Sequence, residues 1–133
     1  MNDGVPGYPS VVDEPTTAAT TEDAPAPDEP QVTSELQGHT AVITVAGELT
    51  EPARRPLVRC LTDLLLSTPN LHRVELRLGD VAFMNSAGMA VLVQLQKMAA
   101  PRGVEIVLVR PRAAVARPLQ LSGLWHRFTV TEA

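Results

Sequence analysis

The chain has 133 residues, 15 of them acidic and 11 basic, for a formal net charge of −4. That length suits one domain around one core; a single cysteine excludes an internal disulfide, and no apolar run reaches the ~20 residues that a membrane-spanning helix needs. The net charge hides an asymmetry: residues 1–35 hold eight acids and no Lys or Arg, so the remaining 98 residues hold seven acids and all 11 bases, a net +4.

The opening Met-Asn-Asp-Gly-Val-Pro lacks the basic region and apolar core of a secretory signal, and the lone Cys60 suits a reducing compartment. A cytoplasmic protein is expected. Residues 1–31 carry six of the 12 prolines and few large apolar side chains. Such a segment buries too little surface to offset its ordering entropy, so it is expected to be a disordered acidic tail, with residues 32–133 as the folded domain. A solubilising spacer, a flap over the basic body and a phosphorylation target through its threonines are the roles open to it.

Val32–Leu36 reads as a short strand and Gln37-Gly38-His39 as a turn. Thr40–Ala46 is a second strand of mostly β-branched residues, completing a hairpin that stops at Gly47-Glu48-Leu49-Thr50. Thr50 can cap a helix there, with Pro52 in its first turn, where a missing N–H does no harm. Leu57, Leu61, Leu64 and Leu65 share one face of that helix, which Ser67-Thr68-Pro69-Asn70 ends. Cys60 lies near the apolar face and reads as a half-buried structural thiol.

Arg73–Leu78 alternates polar and apolar, as a half-buried strand does, and leads through Gly79-Asp80 into Val81-Ala82-Phe83-Met84. At Asn85-Ser86 the period changes. Gly88, Val91, Leu92, Leu95 and Ala99 then recur at helical spacing up to about Ala100 and are expected to face the sheet, with Met89, Val93 and Gln96 on another face. Either Asn85 or Ser86 can cap this helix. A phosphate at the same point would meet unpaired N–H groups and the positive end of the dipole. Val104–Val109 is almost continuously apolar and reads as a central strand covered on both faces. A short helix from Pro111 to about Leu121, ended by Ser122-Gly123-Leu124, and a strand over Arg127–Val130 complete the order β-β-α-β-α-β-α-β. Strands separated by single helices imply parallel neighbours with right-handed crossovers, so the expected architecture is α/β: a small mixed sheet packed with helices.

No glycine-rich phosphate loop is present. His39, His72 and His126 match no metal spacing. The five residues Met84-Asn85-Ser86-Ala87-Gly88 lack the first glycine of a nucleophile elbow. Arg54, Arg55, Arg59, Arg110, Arg112 and Arg117 are spread over several elements with few aromatics and read as a solvated surface, not a nucleic-acid site. Neither catalysis, a cofactor, a metal nor nucleic-acid binding is expected.

Three stretches together resemble the STAS domain of anti-sigma factor antagonists, over about residues 33–130: Ile43-Thr44-Val45-Ala46-Gly47-Glu48-Leu49 before the first helix, Val81-Ala82-Phe83-Met84-Asn85-Ser86-Ala87-Gly88-Met89-Ala90-Val91-Leu92 at the second, and Leu121-Ser122-Gly123-Leu124 before the last strand. The resemblance implies a STAS-like fold and a bacterial, non-enzymatic transcription regulator. Such a protein binds a serine-kinase anti-sigma factor, frees the sigma factor, and is released when the kinase phosphorylates it. The expected partner-binding surface is the turn, Glu48, Thr50, Asn85, Ser86, Ala87 and Gly88, extended by Met89 and Val93, the apolar residues that helical spacing puts on another face beside it. Within the motif, Asn85 stands at the usual Asp, Thr50 at another usual Asp, and Ala87, which has no hydroxyl, at the usual phosphoacceptor. Ser86, one residue earlier, is then the candidate phosphorylation site. Two other roles fit the resemblance: a STAS subunit of a lipid-transport ABC complex, and a small-ligand-binding STAS module.

Overall fold

The computed structural model describes residues 28–132. Its elements are strand β1 (Gln31–Gln37), strand β2 (Thr40–Leu49), a 3-10 turn (Glu51–Ala53), helix α1 (Arg54–Ser67), strand β3 (Arg73–Met84), helix α2 (Ser86–Ala99), a 3-10 turn (Ala100–Arg102), strand β4 (Glu105–Val109), helix α3 (Ala113–Ser122), a 3-10 turn (Leu124–Arg127) and strand β5 (Thr129–Thr131). The five strands form one sheet in the order β1-β2-β3-β4-β5. Only the β1–β2 hairpin is antiparallel; the other neighbours are parallel, each joined through a helix. The mixed α/β fold expected from the periodicity is the one observed.

The core lies on one face of the sheet. Ile43 and Val45 of β2, Val74, Leu76 and Leu78 of β3, and Ile106 and Leu108 of β4 alternate onto it. Leu57, Leu61 and Leu65 of α1, Val91, Leu92, Leu95 and Ala99 of α2, and Val115 and Leu119 of α3 close it from above. These helical positions recur every three or four residues, so each helix buries one stripe. The helical assignment for residues 88–99 holds at each of the five positions expected to face the sheet.

Several details differ from the sequence reading. β2 continues through Gly47 to Leu49, because register shifts against β3 absorb the irregularity that glycine introduces. β4 is an interior strand but not the central one, which is β3. β3 reads as half-buried only because Glu75 and Arg77 lie on the sheet face away from the core. The last strand begins at Thr129, since Leu124–Arg127 first makes a 3-10 turn that seats Phe128 in the core. The last helix spans Ala113–Ser122, two residues beyond Pro111, and tolerates Pro118 in its interior.

Residues 1–27 of the expected tail lie outside the described residues. Its last four residues belong to the described body. Glu29 accepts from the Arg55 guanidinium at 3.1 Å in an ion pair that leaves the Glu29 side chain 8% exposed. Pro30 is buried against Gly47, whose φ of +127° is one that glycine adopts readily. No helix among the described residues is long and apolar enough to cross a membrane.

Candidate functional site

The turn between β3 and α2 is built by backbone contacts to the end of β2. The Asn85 N–H donates to the Leu49 carbonyl at 3.2 Å. Asn85 is extended (φ −112°, ψ −174°), and its Oδ1 accepts from the Gly88 N–H at 3.0 Å. Asn85 is therefore the N-cap, and of the two residues able to cap, Ser86 is not the one that does. Ser86 is the first helical residue, exposed, and its hydroxyl has no hydrogen-bond partner among the described residues. The Met89 N–H donates to the Asn85 carbonyl at 3.0 Å, which leaves the N–H groups of Ser86 and Ala87 as the open donors of the first turn. Their partial positive charge and that of the helix end project beside the Ser86 side chain.

Gly88 sets how closely α2 approaches β2. A Cβ on it would lie 2.0 Å from the Leu49 carbonyl oxygen and 2.5 Å from the Leu49 carbonyl carbon. Both atoms are backbone, held by the β2–β3 ladder and by the Asn85 bond, so neither can rotate aside. The sequence identifies Gly88 only as one more small residue on the sheet-facing stripe. Its real constraint is long-range and leaves no local signal.

Around this turn the structure gathers most of the expected contact residues. Glu48 is exposed and pairs in register with Phe83. Thr50 is half-buried and extended (φ −134°, ψ −170°), but its hydroxyl caps nothing; the 3-10 turn is closed instead by the Ala53 N–H on the Thr50 carbonyl at 2.9 Å. Asn85 and Ser86 are exposed, Ala87 half-buried and Gly88 buried. Met89 and Val93 are half-buried and pack against the core from the rim of α2. Met89 also receives the Ser122 hydroxyl on its Sδ at 3.7 Å, so it bridges α2 and α3 as well as facing outward. Arg54 ties α1 to this region through Glu51, at 3.0 Å, and through the Gln94 side chain. Its guanidinium hydrogen bond holds the Glu51 carboxyl below its ordinary range.

Phe83 is a residue that the sequence reading passed over. It is 49% exposed beside Glu48 at the end of β3. No local signal marks it: Val81-Ala82-Phe83-Met84 is continuously apolar in the sequence, and only the buried order Leu76, Leu78, Val81, Met84, in which a step of two becomes a step of three, shows the broken alternation. The register shift between Gly47 and Glu48 is that break, and it turns Phe83 outward.

Cys60 is half-buried, and burial pushes its thiol above its ordinary range, against a bond to Ser34 that pulls it down. A neutral, shielded thiol is a poor nucleophile. His39 and His72, read as unrelated, stack with ring centroids 4.8 Å apart, and His39 Nδ1 lies 3.0 Å from the Asn70 carbonyl. Among the described residues no group of three or more His, Cys, Asp or Glu could hold a metal ion.

Comparison with known proteins agrees with this geometry. An anti-sigma factor antagonist from Mycobacterium paratuberculosis superposes with a TM-score of 0.65 at 22% identity, over 83% of this chain and 92% of that one. A candidate anti-sigma factor antagonist from Thermotoga maritima gives 0.67 at 20% identity, over 77% and 86%. The Bacillus cell fate determinant SpoIIAA in its phosphorylated form gives 0.59 at 18% identity, over 77% and 92%. At these identities the likeness is one of fold. The sequence profile of the STAS domain matches residues 31–133, most of the chain and all of the sheet and helices described above, and the chain belongs to the STAS domain family.

Proposed function

We propose that this protein is an anti-sigma factor antagonist: it binds an anti-sigma factor of the serine-kinase type and so releases a sigma factor for transcription. The contact surface is the turn formed by Glu48, Thr50, Asn85, Ser86, Ala87 and Gly88, extended along α2 by Met89 and Val93. Phosphorylation of Ser86 reverses the binding.

The observation that carries this reading is the state of Ser86. Its hydroxyl is exposed and unengaged among the described residues, at the first helical position, while a neighbouring side chain does the capping. A phosphoserine there adds about −1.5 to −2 charges. The open N–H groups of Ser86 and Ala87 and the dipole accommodate that charge without disturbing the fold. On the outer surface the same charge opposes a partner that presents carboxylates or apolar side chains, through repulsion and desolvation. Structural relatives that are anti-sigma factor antagonists support the role in general terms, and Ser86 takes over the hydroxyl that Ala87 lacks.

The test is affinity capture with the full chain in its native cell, followed by incubation of the captured partner with the protein and ATP. Recovery of a serine-kinase anti-sigma factor and phosphate mapped to Ser86 by mass spectrometry is the expected result. A captured anti-sigma factor that binds well but leaves Ser86 unmodified would make the protein a constitutive antagonist. Recovery of a transporter ATPase instead would overturn the reading.

A further inference from the structure

The described residues begin at the edge of a groove. Glu29 lines a cavity of about 590 Å³ whose other walls include Pro52, Val58, Arg59 and Gln94. Its carboxylate is held by the Arg55 guanidinium, and Pro30 beside it is buried against Gly47, so the point at which residues 1–27 join the body is fixed. Gln94 also borders a second cavity, of about 560 Å³, walled by Ala90, Val93, Lys97, Met98 and Leu124. The two cavities adjoin at Gln94 and run from the start of α1 across the outer face of α2.

The groove has an apolar floor and cations on its margins. Val58, Val93, Met98 and Leu124 are half-buried and turn only part of their surface to the core. The groove's carboxylates, Glu29 and Glu51, are already engaged by Arg55 and Arg54. Arg59 and Lys97 are exposed and form no ion pair among the described residues. Residues 1–27 have the complementary composition. They hold Asp3, Asp13, Glu14, Glu22 and Asp23, no Lys or Arg, and the apolar side chains of Val5, Tyr8, Val11 and Val12.

Chain length permits the match. Glu22 and Asp23 lie six and five residues ahead of Asp28, a reach of about 20 Å when extended. Arg59 is one helical turn beyond Arg55, and Lys97 one turn beyond Gln94, so each cation is roughly 5 Å along its helix from the point of entry. Val12 lies 16 residues ahead of Asp28, which gives it a reach of about 50 Å. Pro25 and Pro27 fix φ in advance, so laying this stretch down orders fewer dihedrals and costs less.

We propose that residues 1–27 dock in this groove of their own chain, with Glu22 and Asp23 against Arg59 and Lys97, and with Tyr8, Val11 and Val12 over Val93, Met98 and Leu124. A short tether gives an effective concentration in the millimolar range, so a contact with a Kd of only about 0.1 mM is about nine-tenths occupied. Val93 belongs to the proposed partner surface as well. A docked segment therefore leaves about one-tenth of the molecules competent and weakens the partner's apparent affinity about tenfold. That consequence rests on the proposed function; the docking does not.

The experiment is paramagnetic broadening in the isotope-labelled full chain, with Cys60→Ala and a nitroxide on Ala18→Cys. Relative to the reduced label, the amide peaks of Val58, Val93, Lys97 and Met98 should lose most of their intensity, and those of Glu75 and Arg77 on the far sheet face should keep theirs. Arg59→Glu with Lys97→Glu should restore the lost intensity. Adding Glu22→Lys and Asp23→Lys to that pair should bring the broadening back, a rescue that misfolding could not produce. Broadening spread over both faces, or unchanged by the charge reversal, would overturn the proposal. So would broadening in a mixture of isotope-labelled chains without nitroxide and unlabelled chains with it, because a second copy would then be the occupant. As a separate arm, the captured anti-sigma factor should bind the chain carrying Glu22→Lys and Asp23→Lys alone about tenfold more tightly. Groove broadening with unchanged partner affinity would uphold the docking and remove Val93 from the partner surface.

Discussion

Two regions of this molecule present positive charge at the ends of parallel strands, and they do so by opposite means. At the Asn85–Gly88 turn the charge comes from backbone: open N–H groups and a helix dipole, held in place because Gly88 lets α2 lie against the Leu49 carbonyl. At the opposite sheet face it comes from the side chains of Arg77, Arg110 and Arg112 around a cavity. The first region is part of the scaffold, so disturbing its geometry disturbs the fold. The second is attached to the scaffold, so its charges can be removed one at a time.

The strongest way to break this contrast is Gly88→Ala. In an ordinary helix the change would help by about 1 kcal/mol. Here the new Cβ meets two backbone atoms at 2.0 and 2.5 Å, and the forced separation of α2 from β2 should cost about 3 kcal/mol, the upper part of the range for overpacking. Urea unfolding would measure it; a neutral or stabilising effect would mean that the turn is not locked. Next in size is Arg110→Gly, which should gain about 1 kcal/mol by releasing a left-handed L-residue. Opposite signs for two glycine exchanges at the two regions would be the clearest statement of the difference between them.

Asn85→Ala and Ser86→Ala sharpen the account of the turn. Asn85 makes the capping bond to the Gly88 N–H, so its loss should cost about 1 kcal/mol. Ser86 caps nothing, so Ser86→Ala should leave the thermal midpoint within error of the parent. Equal losses for both would mean that the capping bond is shared. The smallest effects concern titration. Arg54 holds the Glu51 carboxyl low, so the pair adds stability above the ordinary carboxylate range and loses it as pH falls through the depressed value. Glu51 is exposed, so Glu51→Gln should flatten the acid side of the stability profile only slightly. Cys60, with its thiol raised by burial, should react with iodoacetamide far more slowly than a free thiol at neutral pH.

Much of the fold was legible because it depends on periodicity. Leu57, Leu61 and Leu65, and likewise Val91, Leu92, Leu95 and Ala99, announce buried stripes one turn at a time. Features that depend on where distant segments meet were not. Gly88 is constrained by Leu49, 39 positions earlier in the chain, and nothing near it records that contact. The turn itself was visible, but Asn85 and Ser86 are both competent caps and only the geometry selects between them. Arg110 and Arg112 read as solvated surface, and Arg77 as the polar side of a half-buried strand, until the β3–β4 register brings the three to one cavity. Continuous apolarity in β4 reported burial on both faces correctly but not position, since an interior strand next to the middle is covered as fully as the middle one.

Met89 shows where the two kinds of information meet. It was expected on an outward face of α2, and it is half-buried there while also taking the Ser122 hydroxyl on its sulfur. Met89→Glu therefore tests packing and contact together, and is a poorer probe of the partner surface than the exposed Ser86. The most direct measurement is the affinity of the captured anti-sigma factor for the wild-type chain, Ser86→Ala and Ser86→Asp, with circular dichroism confirming all three folded. The account predicts that Ser86→Ala binds like wild type and that Ser86→Asp, carrying one fixed negative charge at the start of α2, binds at least about tenfold more weakly. Equal affinity of Ser86→Asp and wild type would contradict it.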